Sequence, residues 1–598
     1  MKVLVWMLVL VLVVVGVVSS EGVDAPPNVL VLLADDLGIG DLGCYGNTTI
    51  NTPNIDRLAS EGVRLTHHLV ASAMCTPSRA ALFTSRYPTR YGLEENATIQ
   101  IPVVLHTTSH VGLPADEVTL ATALRAADYT TALVGKWHLG MNCSFLGRSC
   151  PGPLNHGFQS FYGIPTTLYQ EFAAPGAFWR FSFTHPKFQA LCVSWVAVVW
   201  SLVMGYRKDI LSATCVFNLL LLIHVAVLAP IWFTLAHSSF DPFVHEALGI
   251  SPWLHARVNS HIFRDEALVE RPIRLEGLTH QLVDESRAFL TAHAHDHKPF
   301  FLVHSFAHVH VPMFSSQHMK GHSRHGRYGD NVEELDEGVG AILDTLRELG
   351  LEKNTLVYFT SDHGGHLEAV EPGTMERIGG HNGRFKGGKR QGGSEGGIRV
   401  PGLYRWPGIL PTGVTVDVPT SLMDLMPTVL SLTGLPNITQ LVPHSADKEL
   451  DGVDISEVLL QKATMEGDGG KTTAGRRIFM HHCGQDIHAL RLHSGEHVYK
   501  LYLYKARWHE GSTQCGWGAY KSCTCFDDVI DVRKEPQLYD LTRDPYEDNP
   551  PISPDTPEYQ TVTKELLDYL HKWRTTTHLP PSQLSTMENV KWNMWYQP

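Results

Sequence analysis

Asn28–Ala34 reads NVLVLLA, and Asp35 and Asp36 follow it directly. The same kind of apolar run recurs at Tyr129–Val134 (YTTALV), Pro299–Phe306 (PFFLVHSF) and Thr355–Thr360 (TLVYFT). Apolar runs of this length, without polar alternation, are typical of strands that are buried on both faces of a sheet. The sequence therefore predicts a sheet whose central strands are covered on both sides.

Helical stretches separate these strands. They are predicted over Thr119–Ala127, Leu278–Ala292 and Val332–Leu349. Strands that alternate with helices indicate an α/β fold with a large, mostly parallel mixed sheet flanked by helices. In such sheets ligands bind beyond the carboxyl ends of the strands, so the residues that follow each strand become the candidates for function.

Each predicted strand is followed by residues that carry chemistry. These are Asp35-Asp36, Gly135-Lys136-Trp137-His138, His308-Val309-His310 and Ser361-Asp362-His363-Gly364. Asp35, Asp36 and Asp362 would bring three carboxylates to one edge of the sheet, and their repulsion is costly unless a cation lies among them. Oxygen-rich ligation favours Ca²⁺ or Mg²⁺ over zinc.

A further segment, Cys75-Thr76-Pro77-Ser78-Arg79, combines a cysteine with a helix start. Pro77 suits the first turn of a helix, so Cys75 would lie at the helix N-terminus, where anionic ligands and thiolates are stabilised. A lone cysteine is more often a buried structural residue, but the whole motif favours a functional role.

The Cys75–Arg79 motif resembles the signature of the sulfatases, whose cysteine becomes Cα-formylglycine in the endoplasmic reticulum. The other strand-end motifs, and Lys386-Gly387-Gly388-Lys389, occur in that family's order, and the resemblance runs from Asn28 into the C-terminal domain. It implies the sulfatase fold, which is similar to that of alkaline phosphatase, and one Ca²⁺ ion. It also implies cleavage of sulfuric esters through a formylglycine-sulfate intermediate.

The resemblance also implies a role for individual residues. Metal ligation is implied for Asp35, Asp36, Cys75, Asp362 and His363. The implied catalytic residues are Cys75, Arg79, Lys136, His138, His310 and Lys389, of which Lys136, His310 and Lys389 would also bind sulfate. His310 would protonate the leaving oxygen, and His138 would accept the proton whose loss releases sulfate. His310 takes this role, rather than His308, because the family motif aligns on the second histidine; His308 is expected to support the site.

Two positions depart from the family pattern. Thr84-Ser85-Arg86 stands where Thr-Gly-Arg is usual, and His363 stands where Asn or Gln is frequent. An imidazole is a softer ligand than an amide oxygen, so a lower calcium affinity is expected.

The N-terminus indicates the secretory pathway. Residues 1–20 (MKVLVWMLVLVLVVVGVVSS) follow the signal-peptide pattern, with an uncleaved membrane anchor as the alternative. Glycosylation sequons at Asn47, Asn96, Asn142 and Asn437 agree with an oxidising lumen. Among the 10 cysteines, Cys143 and Cys150 are the pair most expected to form a disulfide.

Two apolar runs, Phe188–Tyr206 and Ile210–Ala236, contain no charged residue, and Arg207 and Lys208 lie between them. Each run is long enough to cross a bilayer, and the basic tip suits the cytosolic side. The runs predict a transmembrane hairpin over residues 186–237, with a pair of buried core helices as the alternative. Such an insertion resembles the steryl sulfatase branch of the arylsulfatases.

The 598-residue chain divides into several predicted parts. These are a signal peptide at 1–20, a catalytic domain at 21–185 and 238–460, the hairpin at 186–237 and a smaller C-terminal α+β domain at 461–598. An antiparallel sheet is expected in the last part, with Gln537–Asp544 as a strand and turn. Lys and Arg number 48 against 61 Asp and Glu, a net charge of −13, which argues against a general nucleic-acid binder.

The resemblance, together with the predicted signal peptide and hairpin, implies a hydrolase of aryl or steryl sulfates in the endoplasmic reticulum membrane, with its catalytic domain in the lumen. Golgi and lysosome are the alternative locations. Its expected partners are an amphiphilic sulfate ester, membrane lipid and the formylglycine-generating enzyme. Two other functions stay open. One is phosphonate or phosphate monoester hydrolysis, although phosphate-monoester members commonly use Ser or Thr with two metals. The other is a catalytically degenerate lumenal membrane-binding protein, against which the intact polar set argues.

Overall fold

The computed structural model describes most of the chain outside its ends and the predicted hairpin. The described residues are 26–95, 111–141, 150–168, 200, 204, 206, 207, 212, 218, 261–271, 273–296, 298–370, 376–461, 476–506 and 529–584.

Within the described residues, the larger domain is built on one mixed sheet of eleven strands. In chain order they are β1 (Asn28–Ala34), β2 (Val63–Leu69), β3 (Thr130–Lys136), β4 (Ser160–Ile164), β5 (Ile262–Arg264), β6 (Ala267–Glu270), β7 (Phe300–Ser305), β8 (Thr355–Ser361), β9 (Arg399–Arg405), β10 (Val414–Val416) and β11 (Thr420–Ser421). Their spatial order is β10-β2-β9-β8-β1-β7-β3-β4-β5-β6, and β11 pairs with β2. β9 and β5 run antiparallel to their neighbours, so the sheet is mixed, as predicted.

The four strands predicted from the sequence lie side by side. Their order is β8-β1-β7-β3, and all three pairings are parallel. Ala34 is in register with Ser361, and Gly135 is in register with Ser305. The carboxyl ends of these strands therefore meet at one edge, where Lys136 ends β3 and where Asp35 and Asp362 follow β1 and β8.

Both faces of the sheet are buried. In β1, Val29, Val31 and Leu33 pack into one hydrophobic core, while Leu30 and Leu32 pack into the other. This double coverage explains why every position of the strand after Asn28 is apolar.

Helices cover the sheet. They are α1 (Pro53–Ser60), α2 (Cys75–Thr84), α3 (Leu120–Ala126), α4 (Leu278–His293), α5 (Gly326–Glu348), α6 (Glu395–Ile398), α7 (Leu425–Leu432), α8 (Ile438–Leu441), α9 (Ser456–Leu459) and, in the C-terminal region, α10 (Pro557–Thr576). Short 3₁₀ helices lie at Ile39–Asp41, Gly43–Tyr45, Pro88–Tyr91, Gly152–His156, Glu352–Asn354, Leu422–Asp424 and Pro443–Ser445. α5 begins six residues before its predicted start at Val332, because its first turns carry the polar side chains of Asp330 and Asn331, which an apolar pattern does not reveal.

The C-terminal region forms the predicted antiparallel sheet. Its four strands are β12 (Arg476–Cys483), β13 (Asp486–Ser494), β14 (His497–Tyr502) and β17 (Gln537–Asp540), and a separate pair is formed by β15 (Tyr504–Ala506) and β16 (Val529–Asp531). α10 contacts β13 and β14. This helix is not among the predicted elements, although Pro557 at its start and the Thr556 cap are ordinary helix signals.

Buried charges join this region to the main sheet. Glu395 of α6 accepts hydrogen bonds from Lys500 at 2.7 Å, from Arg399 at 2.8 Å and from Arg491. Arg477 of β12 binds Asp424 through both of its terminal nitrogens, at 2.6 and 2.7 Å. The two parts of the chain are therefore connected through ion pairs as well as apolar packing.

Several predictions concern the secretory pathway. The predicted hairpin lies almost entirely outside the described residues, and none of the helices that the structure describes is both long and apolar enough to span a bilayer. Cys150 is disulfide-bonded, but Cys143 lies outside the described residues, so their pairing stays a prediction.

Two of the four sequons lie in described parts of the chain. Asn437 is exposed, whereas Asn47 is half-buried and donates from its amide to Gly40 O at 2.8 Å. Asn96 and Asn142 lie outside the described residues. Asn437 is therefore the more accessible of the two described acceptors.

Candidate active site

Cys75 begins α2, as the sequence predicts. Met74 is the extended residue before the helix, and Pro77 lies in the first turn. Cys75 is 2% exposed, and every residue of α2 is buried. The thiol therefore lies at a helix N-terminus inside the protein, where the backbone N–H groups favour negative charge.

The polar side chains of the Cys75–Arg79 motif attach α2 to the strand ends. Thr76 donates to His138 O at 3.0 Å, and Ser78 donates to Asp362 O. Arg79 donates from Nε to Asp362 Oδ2 at 2.9 Å and from Nη1 to Lys136 O at 3.1 Å. The motif is thus a structural connection between the helix that carries Cys75 and the edge that carries the charged residues.

Each carboxylate at this edge has a cationic partner. Lys136 Nζ lies 2.5 Å from Asp35 Oδ2, and Lys389 Nζ lies 2.8 Å from both oxygens of Asp36. Arg79 pairs with the third carboxylate, as described above. Such pairing offsets the desolvation and repulsion of three buried acids.

A metal ion fits the same carboxylates. Asp35, Asp36, Asp362 and His363 each offer a ligand atom, and these atoms all lie within 4.8 Å of one another. Within the described residues, Asp35 Oδ1 and His363 Nε2 are buried and have no hydrogen-bond partner. Carboxylate oxygens suit a hard divalent cation, and two unpaired ligand atoms on a buried cluster are what such an ion would satisfy.

Burial and neighbouring charges shift the pKa values of these groups in different directions. Burial opposes ionisation of Asp35, but the neighbouring positive charges, of which Lys136 has the largest effect, together outweigh burial and hold the pKa of that carboxyl well below its usual range. Burial, only partly offset by His363, raises the pKa of Asp362 to about 6. Burial also opposes ionisation of Cys75, yet Lys136 and His363 lower the pKa of its thiol to about 6. The site therefore favours an anion at position 75.

His363 lies against two carboxylates. Its Nε2 is 3.2 Å from Asp36 Oδ1 and 3.6 Å from Asp362 Oδ1, while Nδ1 lies 2.9 Å from Gly364 O. Burial disfavours its protonation, but Asp362 and Cys75 outweigh burial and raise the pKa of His363 to about 9. A cation in the cluster would take the place of that proton.

The two histidines expected to move protons are both buried. Burial, followed by the charge of Lys136, holds the pKa of His138 well below its usual value, and neither ring nitrogen has a hydrogen-bond partner in the described residues. Burial and Lys389 lower the pKa of His310 to about 4. His310 Nε2 lies 3.9 Å from Asp36 Oδ2 and 3.4 Å from Thr167 Oγ1. Both imidazoles are therefore neutral before an anionic substrate binds.

His308 points to different partners from His310. Its Nε2 lies 3.8 Å from Glu334 Oε2, and its ring packs on Phe314. Its carbonyl accepts from Asp35 N at 2.9 Å, so His308 supports the loop that carries Asp35.

The backbone at two site residues is unusual. Asp36 and His138 both have a φ of 60°, in the left-handed region that non-glycine residues rarely adopt. Ser85, where the family has glycine, has a φ of 61° at the C-terminus of α2 and donates to Met423 O at 2.6 Å. The conformation explains the family's glycine, and the hydrogen bond compensates for the serine.

Other residues of the site were not identified from the sequence. Ser305 accepts from Arg79 Nη1 at 2.7 Å, and Asn382 accepts from Gly365 N at 2.8 Å. Serines at strand ends and asparagines in loops are common, so no local signal distinguishes these two residues. Only the register of the parallel strands places Ser305 beside Arg79.

Known proteins resemble the chain over nearly its full length. Residues 27–435 match the family model described as sulfatase, and residues 474–598 match that of the C-terminal region of aryl-sulfatase. Arylsulfatase D of Homo sapiens is 39% identical, covering 96% of this chain and 90% of that protein. Steryl-sulfatase of Mus musculus is 39% identical over 96% of this chain and 86% of its own length.

A solved structure shows the same fold. The PsFucS1 sulfatase from Pseudoalteromonas sp. matches with a TM-score of 0.63 and 25% identity, over 92% of each chain. The mixed sheet and the C-terminal antiparallel sheet are therefore those of the sulfatase fold, which is similar to alkaline phosphatase.

Proposed function

The chain belongs to the sulfatase family and hydrolyses sulfate esters, and we propose that its substrates are aryl or steryl sulfates. The products are an alcohol and inorganic sulfate. Arylsulfatases and steryl-sulfatases are 37–39% identical to the chain over 96% of its length, which supports this substrate class.

One observation carries the proposal more than any other. The thiol of Cys75 lies at a helix N-terminus, and the groups that govern its charge are Lys136, Lys389, Asp35 and His363. The position combines a nucleophile, cations for a sulfate group and a cluster for a divalent metal.

Sulfatases use a formylglycine and a metal ion. In this chain formylglycine would derive from Cys75, and Asp35, Asp36, Asp362 and His363 would hold a single Ca²⁺. The hydrated aldehyde supplies a nucleophile and the means of releasing sulfate, and the cation supplies Lewis-acid polarisation. The formylglycine-generating enzyme is accordingly a proposed partner during maturation.

The protein's own residues prepare the reaction. Lys136 and Lys389 already lie within 3 Å of Asp35 and Asp36, so their ammonium groups are next to the place where a sulfate would enter. Neutral His138 is able to accept a proton. His310 must gain a proton before it can protonate the leaving oxygen, and the charge of a bound sulfate beside Asp36 favours that gain.

The proposal is tested with a matched pair of substrates. Initial rates on an aryl sulfate and on the phosphate ester of the same phenol are compared for the wild type and for Cys75→Ala. A sulfatase strongly prefers the sulfate and loses that activity in the variant. Preference for the phosphate ester would favour the alternative of a phosphate or phosphonate hydrolase, and no turnover of either ester would favour the degenerate alternative.

The proposal that steryl sulfates are substrates includes a membrane hairpin at residues 186–237. Two apolar runs there are free of charged residues and long enough to cross a bilayer. Such an anchor would hold the catalytic domain at a lipid surface, where amphiphilic steryl sulfates partition.

Replacement of Phe188–Ala236 by a short polar linker tests this arrangement. Activity on a water-soluble aryl sulfate should persist, whereas activity on steryl sulfate in liposomes should fall proportionally more. Equal loss of activity on both substrates would reject the proposal that the hairpin brings the active site to substrates in the membrane.

The proposed location is the endoplasmic reticulum membrane, with the catalytic domain in the lumen. The apolar N-terminus and the exposed acceptor Asn437 support it. Glycosidase treatment should increase the mobility of the protein on a gel, and alkaline carbonate should leave the protein in the membrane fraction. Release into the soluble fraction would contradict the membrane assignment.

A further inference from the structure

Away from the catalytic edge, three side chains from three different elements meet at the surface. His280 lies near the start of α4, His318 lies in the turn before α5, and Glu337 lies on α5. One ligand atom of each lies within 4.8 Å of the others. The mechanism proposed above uses none of them.

Both imidazoles direct Nε2 toward the same carboxylate. His318 Nε2 lies 2.9 Å from Glu337 Oε2, and His280 Nε2 lies 3.9 Å from that oxygen. The other nitrogen of His318, Nδ1, is engaged by Ser316 Oγ at 3.1 Å. Ser316 thereby fixes the orientation of the His318 ring and leaves Nε2 for a ligand.

Glu334 is a buried carboxylate that lies beside His280. Its side chain is fully buried, and Oε1 has no hydrogen-bond partner within the described residues. That oxygen lies 3.6 Å from His280 Nδ1, while Oε2 accepts from Ser316 N at 2.9 Å. A buried carboxylate oxygen without a partner is costly, and this one faces the nitrogen of His280 that is turned away from Glu337.

A histidine that binds zinc in a protein commonly places one ring nitrogen on the metal and the other on a carboxylate. His280 has this arrangement, because one of its nitrogens faces Glu334 and the other faces the remaining ligand groups. We propose that His280 Nε2, His318 Nε2 and the Glu337 carboxylate form a site for Zn²⁺, and that Glu334 positions His280. Two imidazoles and one carboxylate favour zinc over the calcium suited to the catalytic cluster.

The separations of the ligand atoms are close to those of a tetrahedral zinc site. Zinc–ligand distances of about 2.0–2.1 Å place tetrahedral ligand atoms roughly 3.3 Å apart. The observed separations of 2.9 and 3.9 Å from Glu337 Oε2 lie on either side of that value. His280, His318 and Glu337 are about half exposed, so water can reach a fourth position.

Zinc titration of the purified full-length protein tests the site, with saturating Ca²⁺ present so that the catalytic cluster does not compete. Calorimetry should show one equivalent of Zn²⁺ that is lost in His280→Ala and in His318→Ala. His293→Ala is the matched control, because His293 lies on the same helix but pairs with Asp296. Glu334→Gln should weaken binding about 10- to 100-fold, the effect typical of a residue that orients a metal ligand.

Cobalt gives a second readout that does not depend on heat. Co²⁺ bound by these residues should give a tetrahedral d–d absorption band in the wild type and the His293→Ala variant, and not in the His318→Ala variant. Thermal unfolding confirms that each variant is folded. Unchanged zinc stoichiometry and affinity in folded His280→Ala and His318→Ala would overturn the proposal and leave these residues as a surface ion-pair cluster. Because no readout is sulfatase activity, the result is independent of the proposed function.

Discussion

Arg79 Nε donates to Asp362 Oδ2 at 2.9 Å, in an ion pair whose two side chains are each 1% exposed. Arg79 belongs to the helix that begins at Cys75, and Asp362 follows a central strand of the sheet. Together with the hydrogen bonds of Thr76 and Ser78, this buried contact fixes the position of the nucleophile relative to the cluster of carboxylates.

Arg79→Gln should reduce the free energy of unfolding by about 3–5 kcal/mol, because it leaves Asp362 buried without its cationic partner. Urea unfolding measures this loss. Arg57→Gln is the control: Arg57 pairs with Asp344 at 3.2 Å on the surface, where a pair contributes less than about 1 kcal/mol. Equal losses in the two variants would show that the buried ion pair contributes no more to the free energy of unfolding than the surface pair does.

Asp35→Asn should lower kcat/KM about 100-fold or more, because it removes a charge that faces the proposed cation. His363→Asn should have a milder effect, since an amide oxygen is a natural calcium ligand. The measurement is activity as a function of free Ca²⁺ after chelation. If His363→Asn needs far more calcium than the wild type, the softness argument for the imidazole is wrong.

Glu395→Gln should destabilise the folded protein by about 3–5 kcal/mol, because Arg399, Arg491 and Lys500 lose their shared buried carboxylate. Glu449→Gln is the matched control, since Glu449 is 77% exposed and pairs with Arg90 at the surface. Chemical unfolding of the two variants should differ by several-fold in lost free energy. A Glu395→Gln protein as stable as the control would contradict the role assigned to this cluster.

Asp41 should make stability fall as the pH rises. Burial, although opposed by Tyr328, raises the pKa of Asp41 to about 7 in the folded protein. The folded state then holds a proton that the unfolded state releases above about pH 4, so the contribution is complete below pH 4 and declines up to pH 7. Between pH 5 and pH 8, the wild type should lose about 2–3 kcal/mol more than Asp41→Asn.

The comparison is made by urea unfolding at both pH values. Asp128→Asn serves as the control, because Asp128 is 76% exposed. Parallel pH profiles for the wild type and Asp41→Asn would show that Asp41 is ionised in the folded protein.

The sequence was most informative where charged residues stand at the end of a buried strand. The four predicted runs form the consecutive parallel strands β8-β1-β7-β3. Asp35, Asp362 and Lys136 meet at their carboxyl ends, as predicted. The start of α2 at Cys75 also agrees, because Pro77 and the motif are local signals. Hydrophobic periodicity and strand-end chemistry are short-range properties, so a single sequence displays them.

What the sequence could not supply depends on contacts between distant segments. Ser305 reaches Arg79 only through strand register, and Glu334 faces His280 only because α5 packs on α4. The left-handed backbone conformation of Asp36 and His138 likewise depends on the surrounding structure, since neither residue type predicts it.

The chemical state of Cys75 tests the central claim most directly. Peptide mass spectrometry of the fully active enzyme should find the tryptic peptide that contains position 75 without a thiol and with an aldehyde that reacts with hydrazides. Cys75→Ala should fold normally, as judged by its thermal unfolding, and have no sulfatase activity. An unmodified Cys75 thiol in fully active enzyme would contradict the account.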